Sequence, residues 1–251
     1  MIIPSRFRMD VAGNLSLIKE KIRIACSKRS PDLANVTPRL VAVSKTKPPD
    51  LIISALDAGQ KNFGENYVNE LVEKGNHPDL KNRDIRWHFI GHLQRNKVNR
   101  VLGVPNLHVI ETVDSEKLAA AIDSGWQKFR KQEDDKLNVM VQVNTSGEEE
   151  KSGCDVGQAS ALVKYVLENC KNLNFMGVMT IGAYGYDPAT GPNPDFLSLI
   201  KCRESICREL GLDKSKVELS MGMSTDYEHA IELGSSNVRV GSAIFGERLP
   251  K

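Results

Sequence analysis

The chain has 251 residues, 40% hydrophobic and 26% charged, enough apolar material for one large core and within the size range of a single α/β barrel. Its 34 basic and 32 acidic residues are spread along the sequence, so the net charge of +2 argues against a nucleic-acid-binding surface. No run approaches the ~18 apolar residues of a membrane span, and Met1-Ile2-Ile3-Pro4 is too short for a secretory signal core, so a cytoplasmic protein with no membrane partner is expected.

Arg6 and Arg8 lie in an acid-poor start, and a longer form could carry an organelle transit peptide there. An amphipathic helix follows, over about residues 11–29. From there short apolar runs alternate with helical patterns, the signature of a parallel sheet. The predicted strands are 40–45, 62–65, 87–91, 107–112, 139–144, 177–181, 218–221 and 237–240. Eight strands interleaved with helices predict a single (β/α)8 TIM barrel over residues 1–251, preceded by the extra N-terminal helix. An open doubly wound sheet would alternate similarly. Ser44-Lys45-Thr46-Lys47-Pro48, however, stands where that fold would carry a glycine-rich dinucleotide loop.

The first strand, Leu40-Val41-Ala42-Val43-Ser44-Lys45, delivers one amine to its C-terminal end, the end at which barrels gather their functional groups. Alternation puts Val41, Val43 and Lys45 on one face. If the valines fill the interior, the lysine points into the barrel mouth, where partial desolvation prepares a neutral amine for Schiff-base formation. Taken alone, a strand-end lysine more often snorkels to solvent; Lys47 shares its parity but lies past the strand. Pro48-Pro49-Asp50 opens a helix that Gly59 stops, and Asn66, after the second strand, is placed to reach a ligand.

Trp87-His88-Phe89-Ile90-Gly91-His92 presents two histidines of one parity, either of which could serve as a base, although a satisfied structural histidine is commoner. Asp114 is expected to open a helix that ends at Gly125. Residues 182–194, with three prolines and three glycines, form the longest predicted loop, a candidate flap. Cys26, Cys154, Cys170, Cys202 and Cys207 are odd in number and lack zinc-ligand spacing, so reduced thiols and no metal site are expected.

Two turns near the C-terminus suit a phosphate. Ser220-Met221-Gly222-Met223-Ser224-Thr225, with Met221 and Ser224 as candidate contacts, precedes a short helix that Thr225-Asp226-Tyr227-Glu228 is expected to cap and Gly234 to close. Gly241-Ser242-Ala243 follows the last strand, where small side chains let main-chain amides approach a ligand. Both fall after strands seven and eight, the common phosphate position in barrels. Arg239 shares the parity of Gly241. If that face is the interior, it is a buried cation that needs either a carboxylate or a ligand such as a pyridine nitrogen. A lysine, a phosphate turn and an arginine together make pyridoxal 5′-phosphate (PLP) the leading ligand.

These stretches, with Asn62-Phe63-Gly64-Glu65-Asn66-Tyr67, His92-Leu93-Gln94-Arg95-Asn96-Lys97 and Gly177-Val178-Met179-Thr180-Ile181-Gly182, resemble the PLP homeostasis proteins, which are similar to the N-terminal barrel of alanine racemase. The resemblance spans nearly the whole chain. It implies that Lys45 is the aldimine lysine, that Arg239 approaches the pyridine nitrogen, and that Ser224, Gly241 and Ser242 hold the phosphate.

Two main functions then compete. One is a PLP carrier with little or no catalysis that delivers the cofactor to apo PLP-enzymes. The other is an amino-acid racemase, which needs a second acid/base group opposite Lys45. Alanine racemase takes that group from a C-terminal domain, whereas this sequence ends at Lys251, so the carrier and a monomer are expected. Tyr184 or Tyr186 would be the substitute for the missing base. A cofactor-free aldolase would use Lys45 and the phosphate site but has no need of Arg239.

Overall fold

Eight parallel strands close into a ring at the centre of the computed structural model, which describes residues 9–148 and 150–247. The expectations that rest on Met1, Arg6, Arg8 and Lys251 lie outside the described residues. The ring comprises β1 (Arg39–Val43), β2 (Asn62–Glu65), β3 (Arg86–Phe89), β4 (Leu107–Val113), β5 (Leu137–Asn144), β7 (Leu173–Met179), β8 (Glu218–Met223) and β9 (Asn237–Val240), joined edge to edge with β9 returning to β1. The two-residue β6 (Cys154–Asp155), which the strand patterns do not predict, pairs with the end of β5.

Helices α1 (Val11–Ser27), α2 (Pro49–Asp57), α3 (Val68–Gly75), α4 (Val98–Leu102), α5 (Glu116–Trp126), α6 (Ala159–Asn169), α7 (Pro194–Leu210), α8 (Tyr227–Glu232) and α9 (Ser242–Phe245) complete the (β/α)8 TIM barrel with its N-terminal helix. α9 is a single turn, too short to cover the outer faces of β9 and β1. α1 takes its place. Val11, Leu15 and Ile18 are buried in one apolar cluster with Leu40, Ala42, Val238, Val240 and the Ile244 and Phe245 of α9. Each large side chain so buried contributes roughly 1.5–3 kcal/mol, and this fixes α1 as part of the barrel wall.

Strand alternation sends Ala42, Val238 and Val240 outward and leaves Val41, Val43 and Arg239 on the interior parity. The interior is unusually polar. Beside a small cluster of Val109, Met140 and Met179 stand Glu111, His88, Ser220 and Asn237, each fully buried.

Several boundaries differ from expectation for identifiable reasons. β1 stops at Val43 because the chain turns at Ser44–Lys47, closed by the Lys47 N–H on the Ser44 carbonyl (3.0 Å), with Thr46 at φ +63°. α5 is capped by Ser115 rather than Asp114, through the Leu118 N–H on Ser115 Oγ. Gly125 lies inside α5, where a Cβ would sit 2.7 Å from Leu102, so it serves close packing against α4 rather than termination. α8 begins one residue after Asp226, not at Thr225. The Asp226 carboxylate turns back to accept the Met223 N–H at 2.6 Å. Gly234 does follow that helix, at φ +106°.

Candidate functional site

The turn that carries Lys45 is held from both sides by one cluster on α3. Lys74, 5% exposed, donates through Nζ to the Ser44 carbonyl (2.8 Å), Glu65 Oε1 (2.7 Å) and Glu70 Oε2 (2.8 Å). Glu70 Oε2 in turn accepts the Thr46 N–H at 2.7 Å, and the Ser44 hydroxyl donates to Glu65 Oε1 at 2.6 Å. Desolvation works to raise the Glu70 pKa, but hydrogen bonds from Lys74 and the Thr46 amide outweigh it, so this carboxylate is held below its ordinary range. The residues before and after Lys45 are thus both tied to α3, and the strained Thr46 conformation is stabilised by a charge-assisted bond.

Lys45 faces a cavity of about 360 Å³ at the C-terminal ends of the strands. Asn66, Ser224, Arg239, Gly241 and Ser242 line it as well, so six of the seven residues singled out from the sequence converge on one space. Met221 does not. It is fully buried in the apolar layer between barrel and helices, because it shares the outward parity of Leu219; Met223, past a register shift in β8, reaches the cavity instead. Lys47 also lines the cavity and donates to the Glu247 carbonyl at 2.7 Å. The loop after β7 contributes Ile181 and Tyr184, the latter 87% exposed. Tyr186 is turned away, its hydroxyl on the Gly191 and Pro192 carbonyls.

Two details mark the cavity as built for a polar ligand. Asn66 Oδ1 is buried without a hydrogen-bond partner among the described residues, an arrangement that costs free energy unless a ligand or water donates to it. The two phosphate-type turns are also joined: the Gly241 N–H donates to Ser224 Oγ at 3.0 Å, which leaves the hydroxyl proton of Ser224 to donate elsewhere.

Arg239 forms the floor. Its Nη1 donates to Ser220 Oγ (2.5 Å) and its Nη2 to the Thr180 carbonyl (2.7 Å). The Ser220 hydroxyl in turn donates to Glu111 Oε2 at 2.6 Å, while Glu111 Oε1 accepts from Asn237 Nδ2 (2.9 Å) and lies 2.6 Å from His88 Nδ1. Burial alone would raise the Glu111 pKa; the hydrogen bond and charge of His88, with the charge of Arg239 and the Ser220 hydroxyl, outweigh it and bring the group to about 2. Arg239 therefore has both a carboxylate beneath it and a cavity above it.

His88 lies below the cavity and does not line it. Its other nitrogen is 3.2 Å from Asn62 Oδ1. His92 is exposed, with Nδ1 3.0 Å from Ser152 Oγ. The neighbouring His108 has its pKa lowered to about 4, first by desolvation and then by the charge of His88. All five cysteines are free; burial raises the Cys154 thiol to about 12, consistent with inert packing. Among the described residues no cluster of side chains could hold a metal ion, and no helix is long and apolar enough to cross a membrane.

The sequence profile of the alanine racemase N-terminal domain matches residues 15–249. The pyridoxal phosphate homeostasis protein of Bos taurus is 52% identical over 242 residues, covering 96% of this chain and 88% of that protein. The protein of the same name from Haemophilus influenzae is 38% identical, covering 96% and 97%. PipY of Synechococcus elongatus PCC7942 in its PLP-bound form superposes with a TM-score of 0.76 at 27% identity, over 94% of this chain and all of that one. Alanine racemase from Corynebacterium glutamicum shares the fold, with a TM-score of 0.65 at 14% identity over 91% of this chain and 61% of its own.

Proposed function

Because the chain belongs to the pyridoxal phosphate homeostasis protein family, built on the alanine racemase N-terminal barrel, we propose that it binds PLP in the cavity faced by Lys45 and holds it for intracellular supply, with little or no catalysis. When bound, the cofactor supplies an aldehyde that an amine can capture covalently, and Lys45 is the amine proposed to do so. The observation that carries this reading is the convergence on one cavity of Lys45, Arg239 and Asn66, the last with its Oδ1 buried and without a partner among the described residues.

The residues present fit the group. The cavity lies within the size range of small-molecule sites, roughly 300–1,000 Å³. Ser224 and Ser242 offer donors for the phosphate, and Gly241, whose own N–H is taken by Ser224 Oγ, lets the ligand approach without a side chain in the way. Asn66 Oδ1 would accept from a ring hydroxyl, and Val43, Ile90 and Met223 provide apolar wall for the ring face.

Arg239 determines the chemical temperament of the site. A guanidinium fixed by Ser220, Thr180 and the Glu111 charge donates hydrogen bonds and cannot accept a proton at working pH. Facing a pyridine nitrogen, it leaves that nitrogen unprotonated and weakens the ring as an electron sink, which favours storage over bond-breaking. The proposed role is that of a monomeric cytoplasmic carrier, with apo PLP-enzymes as recipients. Tyr184, at the cavity rim, is the side chain a racemase reading would recruit opposite Lys45.

The test is direct. Purified protein loaded with PLP is expected to show visible absorbance that survives gel filtration and is lost in Lys45→Ala. Retention unchanged in that variant would overturn the assignment of Lys45. Incubation with amino acids, followed by chiral analysis, is expected to show negligible interconversion; turnover at ordinary enzymatic rates would overturn the carrier reading.

A further inference from the structure

At the opposite end of the barrel, where β1 and β8 begin, lies a second cavity of about 510 Å³ that shares no lining residue with the first. The segment before β1, the middle of α7 and the starts of β8 and β9 enclose it. Arg203, projecting from α7, lines this cavity with only 8% of its surface exposed. Among the described residues it makes one hydrogen bond, a long one of 3.4 Å from Nη1 to the Val217 carbonyl, and no ion pair; its Nε is buried with no partner.

The other two cations at this cavity are matched. Arg39 grips Glu218 bidentately at 2.6 and 2.9 Å, and Lys214 pairs with Glu204 at 2.9 Å. Arg203 alone has no carboxylate in hydrogen-bond contact among the described residues; Glu204 acts on it only through space, and Asp32 lines the same cavity. Burial depresses its pKa, yet an arginine does not escape by losing its proton, so the desolvation cost stays unless an anion arrives. The walls suggest which anion. A guanidinium fork matches a carboxylate or a phosphate in two parallel hydrogen bonds, and the carboxylates of Asp32 and Glu218 on the same wall disfavour a dianion relative to a monoanion. Leu33, Val36 and Val217 supply apolar wall for a short carbon skeleton.

We propose that this cavity binds a small organic carboxylate, anchored on the guanidinium of Arg203. The site is separate from the PLP cavity and does not depend on the function assigned to it.

The experiment uses the full chain loaded with PLP and labelled with ¹⁵N-arginine, titrated at constant ionic strength with butyrate, inorganic phosphate or chloride. Butyrate is expected to shift the Arg203 Nε–H resonance saturably, with phosphate weaker and chloride inert. By calorimetry, Arg203→Lys should weaken butyrate at least tenfold by removing the fork. Asn35→Trp, at an exposed lining position, leaves Arg203 in place but obstructs the cavity and should weaken butyrate as much. That second variant keeps the test decisive if Arg203→Lys does not fold. A drift that chloride reproduces, or butyrate affinity unchanged in Asn35→Trp, would overturn the site. Phosphate binding more tightly than butyrate would overturn the carboxylate assignment.

Discussion

Lys74 Nζ donates to the main-chain carbonyl of Ser44 at 2.8 Å, directly before the lysine that faces the cavity. The same ammonium holds Glu65 and Glu70, and Glu70 holds the amide of Thr46. The Lys45 turn is therefore not a flexible strand end; its geometry is set by a buried ion cluster on a helix that contributes no side chain to the cavity.

Removing one member of such a cluster leaves charges buried without partners. Lys74→Met is expected to destabilise the fold by about 3–5 kcal/mol, because Glu65 and Glu70 lose their shared cation. Glu70→Gln, which keeps the ion pair with Glu65 and weakens the hold on Thr46, should cost only about 1–2 kcal/mol. Urea denaturation measures both. The diagnostic result lies with the milder variant: Glu70→Gln should release PLP faster than wild type while still folded. Unchanged release would mean that the cluster serves stability alone.

The second prediction concerns the floor of the cavity. Ser220→Ala deletes the hydroxyl that both accepts from Arg239 and donates to Glu111, leaving two buried charged groups each short of a partner. A loss of about 1–3 kcal/mol is expected. If Arg239 faces the cofactor ring, the absorption maximum of the bound form should shift as well, since the guanidinium is no longer fixed. Ser220→Thr, which retains a hydroxyl, should restore the wild-type spectrum.

Acid should reveal the same network. Glu111 is depressed in the folded state to about 2, whereas in the unfolded chain it titrates in the ordinary carboxylate range, so the unfolded state takes up its proton first as pH falls. The stabilisation is fully present above the ordinary value and is lost as pH falls through about 2, an effect on the order of 3 kcal/mol. His108, lowered to about 4, acts in the same sense over the window above that, between the ordinary histidine value and about 4. These two groups together therefore lower stability on acidification below about 6.5, opposed in part by Glu65 and Asp226, whose carboxyls burial raises above the ordinary range. In Glu111→Gln the decline should be shallower between pH 4 and pH 2, measured by urea midpoints at fixed ionic strength.

What the sequence revealed and concealed follows from the range of the interactions involved. β2 and β9 fall at the predicted bounds, 62–65 and 237–240, because their pattern and the flanking turn residues are local. Lys45, Asn66, Ser224 and Arg239 were legible because a parallel barrel sends every strand end to one mouth, whatever the details of packing. Met221 keeps the outward parity of Leu219 and does not line the cavity, whereas Met223 does so only past a register shift in β8, and bulges leave no mark in an apolar run. Lys74 gave no signal on an ordinary amphipathic helix. Glu111 gave a faint one, a single acid inside the apolar run of β4, but its partner Ser220 is 109 residues away and only barrel closure brings them together.

The last prediction rests on a close approach. A Cβ added to Gly91 would lie 1.9 Å from the carbonyl oxygen of Asn66, and main chain cannot yield as a flexible side-chain tip can. Gly91→Ala must therefore push β2's continuation away from β3's, displacing Asn66, which lines the cavity. Overpacking of this kind costs about 1–3 kcal/mol. Gly147, at φ +69° with nothing near its Cβ position, is the contrast: Gly147→Ala meets backbone strain but no neighbour, and lies away from the cavity. Both variants should be less stable in thermal melts, and only Gly91→Ala should also weaken PLP retention. Equal retention in the two would show that Asn66 does not contribute to holding the cofactor.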